Sequence, residues 1–110
     1  MKLTQDRREG SDIVRVQGRL DASTSPDMQD RVLAMLDGSG PLVMDLSGVH
    51  YVSSAGLRAL LILLKECSAQ GRRFALTGLT PDVHDVIRLT GFDKILEIHP
   101  DVDAALAANV

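Results

Sequence analysis

Two serines stand side by side ahead of an apolar run, in Ser53-Ser54-Ala55-Gly56-Leu57. A hydroxyl here has three ordinary uses: capping a helix, taking a phosphoryl group, or attacking as a nucleophile. Capping is the commonest, because a serine oxygen accepts from an orphan N–H of the first helical turn. Those N–H groups and the helix dipole also favour an anion, so a phosphate on Ser53 or Ser54 is locally tolerated. Ala55 and Gly56 are small, so another backbone or a partner can approach this corner closely.

A nucleophilic serine needs a base and a group that orients the base. His50 is near the pair in sequence, but no third member is apparent from spacing. A histidine at a strand end is more often structural, and no catalytic residue is assigned. His50, His84, His99 and Cys67 are scattered without the spacing of metal ligands. Phosphate loops of the G-x-x-x-x-G-K type are absent. No metal, cofactor or enzymatic activity is therefore expected.

Composition narrows the partners. The chain has 110 residues, read as one domain spanning 1–110, and 45% of them are apolar, enough for one core. With 15 acidic and 12 basic residues the net charge is -3, which carries no electrostatic footprint for nucleic acid. Aromatics are 3% with no Trp, so stacking platforms are scarce. Cys67 stands alone in an apolar helical run, and a buried, inert thiol is expected. The N-terminus lacks a secretory apolar region, and no stretch reaches the ~18 apolar residues of a membrane span. The expected setting is the cytoplasm, away from membranes.

The elements that must position the serines are well punctuated. Residues 2–8 and Ile13 to Gly18 predict a hairpin around Gly10-Ser11-Asp12. Ser25-Pro26-Asp27 has the cap, proline and acid of a helix start, and Met28, Val32, Met35 and Leu36 give its apolar stripe. Gly38-Ser39-Gly40-Pro41 should end it. Leu42 to Leu46 predicts a short strand buried on both faces. A helix from about Ser54 to Gln70 follows, closed by Gly71. Next come a strand at 73–77, a helix opened by Thr80-Pro81-Asp82, a strand through Ile95, Leu96 and Ile98, and a last helix from Asp101. Strands separated by single helices predict an α/β fold: a mixed, mostly parallel sheet of about five strands with about four helices and an N-terminal β-hairpin.

On the helix after Ser54, Leu57, Leu60, Leu61 and Leu64 share one face and should pack on the sheet. Ile62 falls outside that stripe, on the side of Ala55, Arg58, Ala59 and Glu66. A small and apolar patch with a polar rim beside Ser54 suits a docking partner, although Ile62 can equally be a lone surface residue. Leu63 can pack on a neighbouring helix.

The run Asp45-Leu46-Ser47-Gly48-Val49 through Tyr51-Val52-Ser53-Ser54-Ala55-Gly56-Leu57 resembles the signature of the STAS domain, the sulphate transporter and anti-sigma factor antagonist fold. Gly18-Arg19-Leu20-Asp21, Leu76-Thr77-Gly78-Leu79 and Leu89-Thr90-Gly91-Phe92 agree with it, so the resemblance covers essentially the whole chain. It implies a bacterial partner-switching regulator. Unphosphorylated, such a protein binds an anti-sigma factor that is also a serine kinase, a histidine-kinase-like ATPase. Phosphorylation breaks the complex, and a PP2C-type serine phosphatase resets it. By the resemblance the phosphoacceptor is two positions before the Gly of Gly56-Leu57, at Ser54. Ser53 stands where many members have Asp, and is the alternative site. Asp21 matches an acidic position beside the corner, or else is a solvated loop carboxylate. The implied partner-binding set is Asp21, Ser53, Ser54, Ala55, Gly56, Arg58, Ala59 and Ile62. The family also includes accessory subunits of lipid-transport ABC complexes, which is the alternative assembly.

Overall fold

The computed structural model describes residues 1–36 and 39–108. Strands β1 (Lys2–Arg8) and β2 (Ser11–Leu20) form an antiparallel hairpin. Arg8 pairs with Ser11, so Glu9-Gly10 is a two-residue loop. Its φ angles are both positive, 54° and 78°. That is the type I′ pattern, whose twist matches the flanking strands.

The chain continues through α1 (Ser25–Met35), β3 (Leu42–Val52), α2 (Ser54–Ala69), β4 (Phe74–Thr77) and α3 (Pro81–Leu89). A 3-10 turn at Phe92–Lys94, strand β5 (Glu97–His99) and helix α4 (Val102–Ala107) complete it. The sheet order is β1-β2-β3-β4-β5, with every pair after the hairpin parallel. Sequential parallel strands joined by right-handed crossovers must carry all their crossover helices on one face. Accordingly α1, α2 and α3 share a core over one side, and α4, after the last strand, covers the other.

Strand alternation feeds both cores. Val14, Met44, Leu76 and Ile98 lie in register across four strands and face the three crossover helices. One residue earlier, Ile13, Val43 and Ala75 form the opposite row, under Val102 and Ala105 of α4. The expectation of a sheet covered on both sides holds for these rows.

Several local expectations need correction. Strand β3 does not stop at Leu46 but runs to Val52, because the ten-residue β2 pairs along its length. Two register shifts, between Arg15 and Gln17 and between Gly18 and Arg19, absorb the Ser47-Gly48 turn signal. Ser25 does not cap α1; Thr24 holds that position and Ser25 is the first helical residue. Helix α1 ends at Met35, and Gly38 of the expected stop lies outside the described residues. Ile95 is exposed rather than in the last strand, because the turn after Gly91 takes up the chain before Glu97.

The inward face of α2 is Gly56, Leu57, Ala59, Leu60, Leu63 and Cys67; Leu61 and Leu64 are half-buried. The stripe is turned from the expected one because α2 covers two surfaces. It packs on the sheet and beside α1, so Leu63 joins the same core as Met28 and Val32. Among the described residues no helix is long and apolar enough to cross a membrane.

Candidate functional site

Strands β2 and β3 are neighbours, and Leu20 pairs with Val52 at their carboxyl ends. The two corners that follow, into α1 and into α2, therefore lie side by side. In open α/β sheets the space beyond the carboxyl ends of the strands is the usual place for a site. The backbone N–H of Ser53 donates to the Leu20 carbonyl over 2.8 Å, which extends the ladder by one step and locks the corners together.

The serine pair divides its work. Ser53 is the N-cap of α2, extended at φ -85° and ψ 177°, and its Oγ accepts from the Gly56 N–H at 3.4 Å. Ser54 is the first helical residue; it is exposed, and its hydroxyl makes no hydrogen bond with any described residue. One hydroxyl thus holds the helix start while the other stays accessible.

Ser54 opens onto a cleft of about 390 Å³. Its walls are Ser25, Pro26 and Gln29 from α1 and Ser54, Ala55, Arg58 and Ala59 from α2. Ala55 and Ala59 keep it open by being small. Ala59 is not on the outer side of α2 as expected: it is 3% exposed and forms the floor between the helices. Gly56 is also turned away from solvent. A β-carbon there would stand 2.5 Å from the Leu20 carbonyl oxygen, so its smallness serves helix–strand contact within the domain. Arg58 is exposed and Ile62 half-buried, and Ile62 is not part of the cleft.

Asp21 is at the neighbouring corner, turned into its own loop. Its Oδ1 accepts from the Ser23 hydroxyl at 2.7 Å and from the backbone N–H groups of Ser23 and Thr24 at 3.0 and 3.2 Å. These bonds, led by the Ser23 hydroxyl, hold its carboxyl down to about 2. Arg19 Nε lies 3.5 Å from Asp21 Oδ2, and the guanidinium sits 4.1 Å from the centre of the Tyr51 ring. Arg19 and Tyr51 are paired across β2 and β3. Sequence reasoning missed this pair and the α1 wall of the cleft. Both follow once β2 and β3 are known to be adjacent and parallel.

His50 is exposed on β3, and among the described residues no hydrogen bond joins it to Ser53 or Ser54. Cys67 is buried and its thiol is pushed up by burial. Among the described residues no three His, Cys, Asp or Glu side chains gather as a metal site.

The model of the STAS domain matches residues 3–105. This chain belongs to the STAS domain family. Its relatives include BtrV of Bordetella bronchiseptica, named an anti-sigma factor antagonist, 33% identical over 98% of this chain and 94% of that protein. The anti-sigma-F factor antagonist RsfA of Mycobacterium tuberculosis is 25% identical, over 99% of this chain and 88% of its own length. A crystal structure of an anti-sigma factor antagonist from Mycobacterium paratuberculosis superposes with a TM-score of 0.85 at 28% identity, covering 96% of this chain and 90% of that one. The STAS sheet therefore accounts for the adjacency of the Asp21 and Ser54 corners. The long β3, its shifted pairing with β2 and the crossover to α2 are what bring the Ser54 hydroxyl to the open end of the sheet.

Proposed function

We propose that this STAS domain is an anti-sigma factor antagonist that works by partner switching in the cytoplasm. Unphosphorylated, it binds an anti-sigma factor that is also a serine kinase of the histidine-kinase-like ATPase class. The kinase moves the γ-phosphoryl group of ATP to the Ser54 Oγ, ADP leaves, and the hydroxyl proton is released. A PP2C-type serine phosphatase removes the phosphate. Ser53 is the alternative acceptor, but its oxygen already caps α2.

One observation carries this reading. Ser54 presents an exposed hydroxyl, unbonded among the described residues, at the start of a helix, in a chain similar along its length to proteins named anti-sigma factor antagonists. The switch needs no refolding. A phosphate adds about -1.5 to -2 charges, and a helix start accommodates them. Within a docked interface the same group must lose its water, at several kcal/mol per ion. About 3 kcal/mol already weakens binding by roughly 100-fold. The docking surface is the Ser54 corner with Ala55 and Arg58, flanked by Ile62 and, across the strand ends, Asp21.

Intact-mass analysis of the protein from its native cells, with the site mapped, tests the proposal. One phosphate on Ser54 is expected in a fraction of the protein, with a histidine-kinase-like ATPase co-purifying with the unphosphorylated remainder. No phosphate under any growth condition, with an ABC ATPase as the bound partner, would overturn it.

A further inference from the structure

We propose that the cleft between the first turns of α1 and α2 is the seat of the Ser54 phosphate, with Arg58 as its counter-ion and the Ser25 hydroxyl as a neutral donor. This rests on Ser54 being the phosphoacceptor, and assigns to the domain itself the groups that hold the modified side chain.

Ser25 is 2% exposed, yet among the described residues its Oγ has no hydrogen-bond partner. A buried hydroxyl without a partner is unfavourable, and such atoms are few in native structures. This one belongs to a residue in the cleft wall, across from Ser54. The oxygen itself is covered, so a phosphate in the cleft becomes its partner by a turn of the Ser25 side chain about its single χ1 bond.

Arg58 is the second feature. Every other arginine has a carboxylate oxygen within 4.0 Å: Arg7 and Arg72 have Asp12, Arg15 has Asp45, Arg73 has Glu97, and Arg8, Arg19, Arg31 and Arg88 pair on the surface. Arg58, among the described residues, has neither an ion pair nor a hydrogen bond. It lies four positions after Ser54 on the same helix, so the two side chains are neighbours on its surface, and both line the cleft. The guanidinium fork matches phosphate oxygens in geometry as well as charge. The N–H groups of Ser54 and Ala55, which have no acceptor inside the helix, add to the field.

Held this way, the phosphate occupies the cleft and neutralises Arg58 together. A partner that reads either the open cleft or the free cation loses both after a single modification.

The test is a phosphorus NMR titration of the full chain carrying phosphoserine at position 54, installed during translation. The second phosphate ionisation is expected below the ordinary value of about 6 by about half a unit. Arg58→Gln and Ser25→Ala should each return it part of the way to the value in urea-unfolded protein. Arg58→Lys should retain most of the shift, since the charge remains. A native phosphate that titrates as in the unfolded chain, or that ignores both substitutions, overturns the proposal. The ribosome rather than a kinase supplies the phosphoserine, so this outcome is independent of partner switching. That reading fails separately, by absence of phosphate on Ser54 in native cells.

Discussion

The Leu20 carbonyl oxygen and the α-carbon of Gly56 are so close that a β-carbon on Gly56 would stand 2.5 Å from that oxygen. The contact presses the first turn of α2 onto the end of β2 and sets the height at which Ser54 emerges. In an exposed helix Gly→Ala would gain about 1 kcal/mol from propensity. Here Gly56→Ala should instead destabilise the domain by about 1–3 kcal/mol, the usual range for overpacking. Chemical denaturation measures it, and an unchanged or raised midpoint would show that the corner can relax.

The two serines should separate in stability measurements. Ser53→Ala removes the cap on α2 and is expected to cost about 0.5–1 kcal/mol, the low end of capping effects because the bond is long. Ser54→Ala removes a hydroxyl that makes no hydrogen bond among the described residues and should stay within about 0.5 kcal/mol of the parent. Paired urea titrations distinguish them. Equal losses for both variants would contradict the division of roles.

The same corner predicts a binding contrast. Ser54→Ala should bind the kinase partner as the parent does, while phosphoserine at 54 should weaken binding by about 100-fold or more. Calorimetric titration of the two forms is the check. Equal affinities would mean that Ser54 is outside the interface.

Asp21 makes a contribution in acid. Its carboxyl is at about 2 in the fold against 3.8 ordinarily, because the Ser23 hydroxyl and the loop N–H groups bind the charged form. The unfolded chain therefore takes up the proton first. The stabilisation is fully present above pH 3.8 and is lost as pH falls to about 2. Glu97, held low by Arg73, titrates in the acid range as well. The difference between the parent and Asp21→Asn isolates the Asp21 share. That difference in denaturation midpoint should shrink as pH is lowered through this window, and a constant difference would contradict the assignment.

The hairpin loop offers a stabilising change. Glu9 has φ 54°, a left-handed conformation that crowds its β-carbon. Glu9→Asn suits a type I′ turn and should stabilise the domain by about 1 kcal/mol. A lower thermal midpoint would argue against this turn geometry in solution.

Much of the architecture was legible because it is written in local chemistry. Gly71 and Gly91 close helices with positive φ at the expected places, and Pro81 opens α3. The strand–helix alternation carries the α/β class, and the serine pair marks the start of α2. These signals depend on one residue and its near neighbours, so they survive without knowledge of the fold. The rotation of α2 did not. Ala59 and Leu63 turn inward because α1 lies beside them, and nothing in the α2 sequence names its neighbour. Nor could composition say which of Ser53 and Ser54 would cap and which would stay free, since either hydroxyl suits a helix start. The tertiary structure decided that, through the Ser53 N–H bond to Leu20 and the close approach of Gly56. It also placed Ser25 of α1 in the same cleft as Arg58, residues far apart in sequence that meet because β2 and β3 are adjacent and parallel.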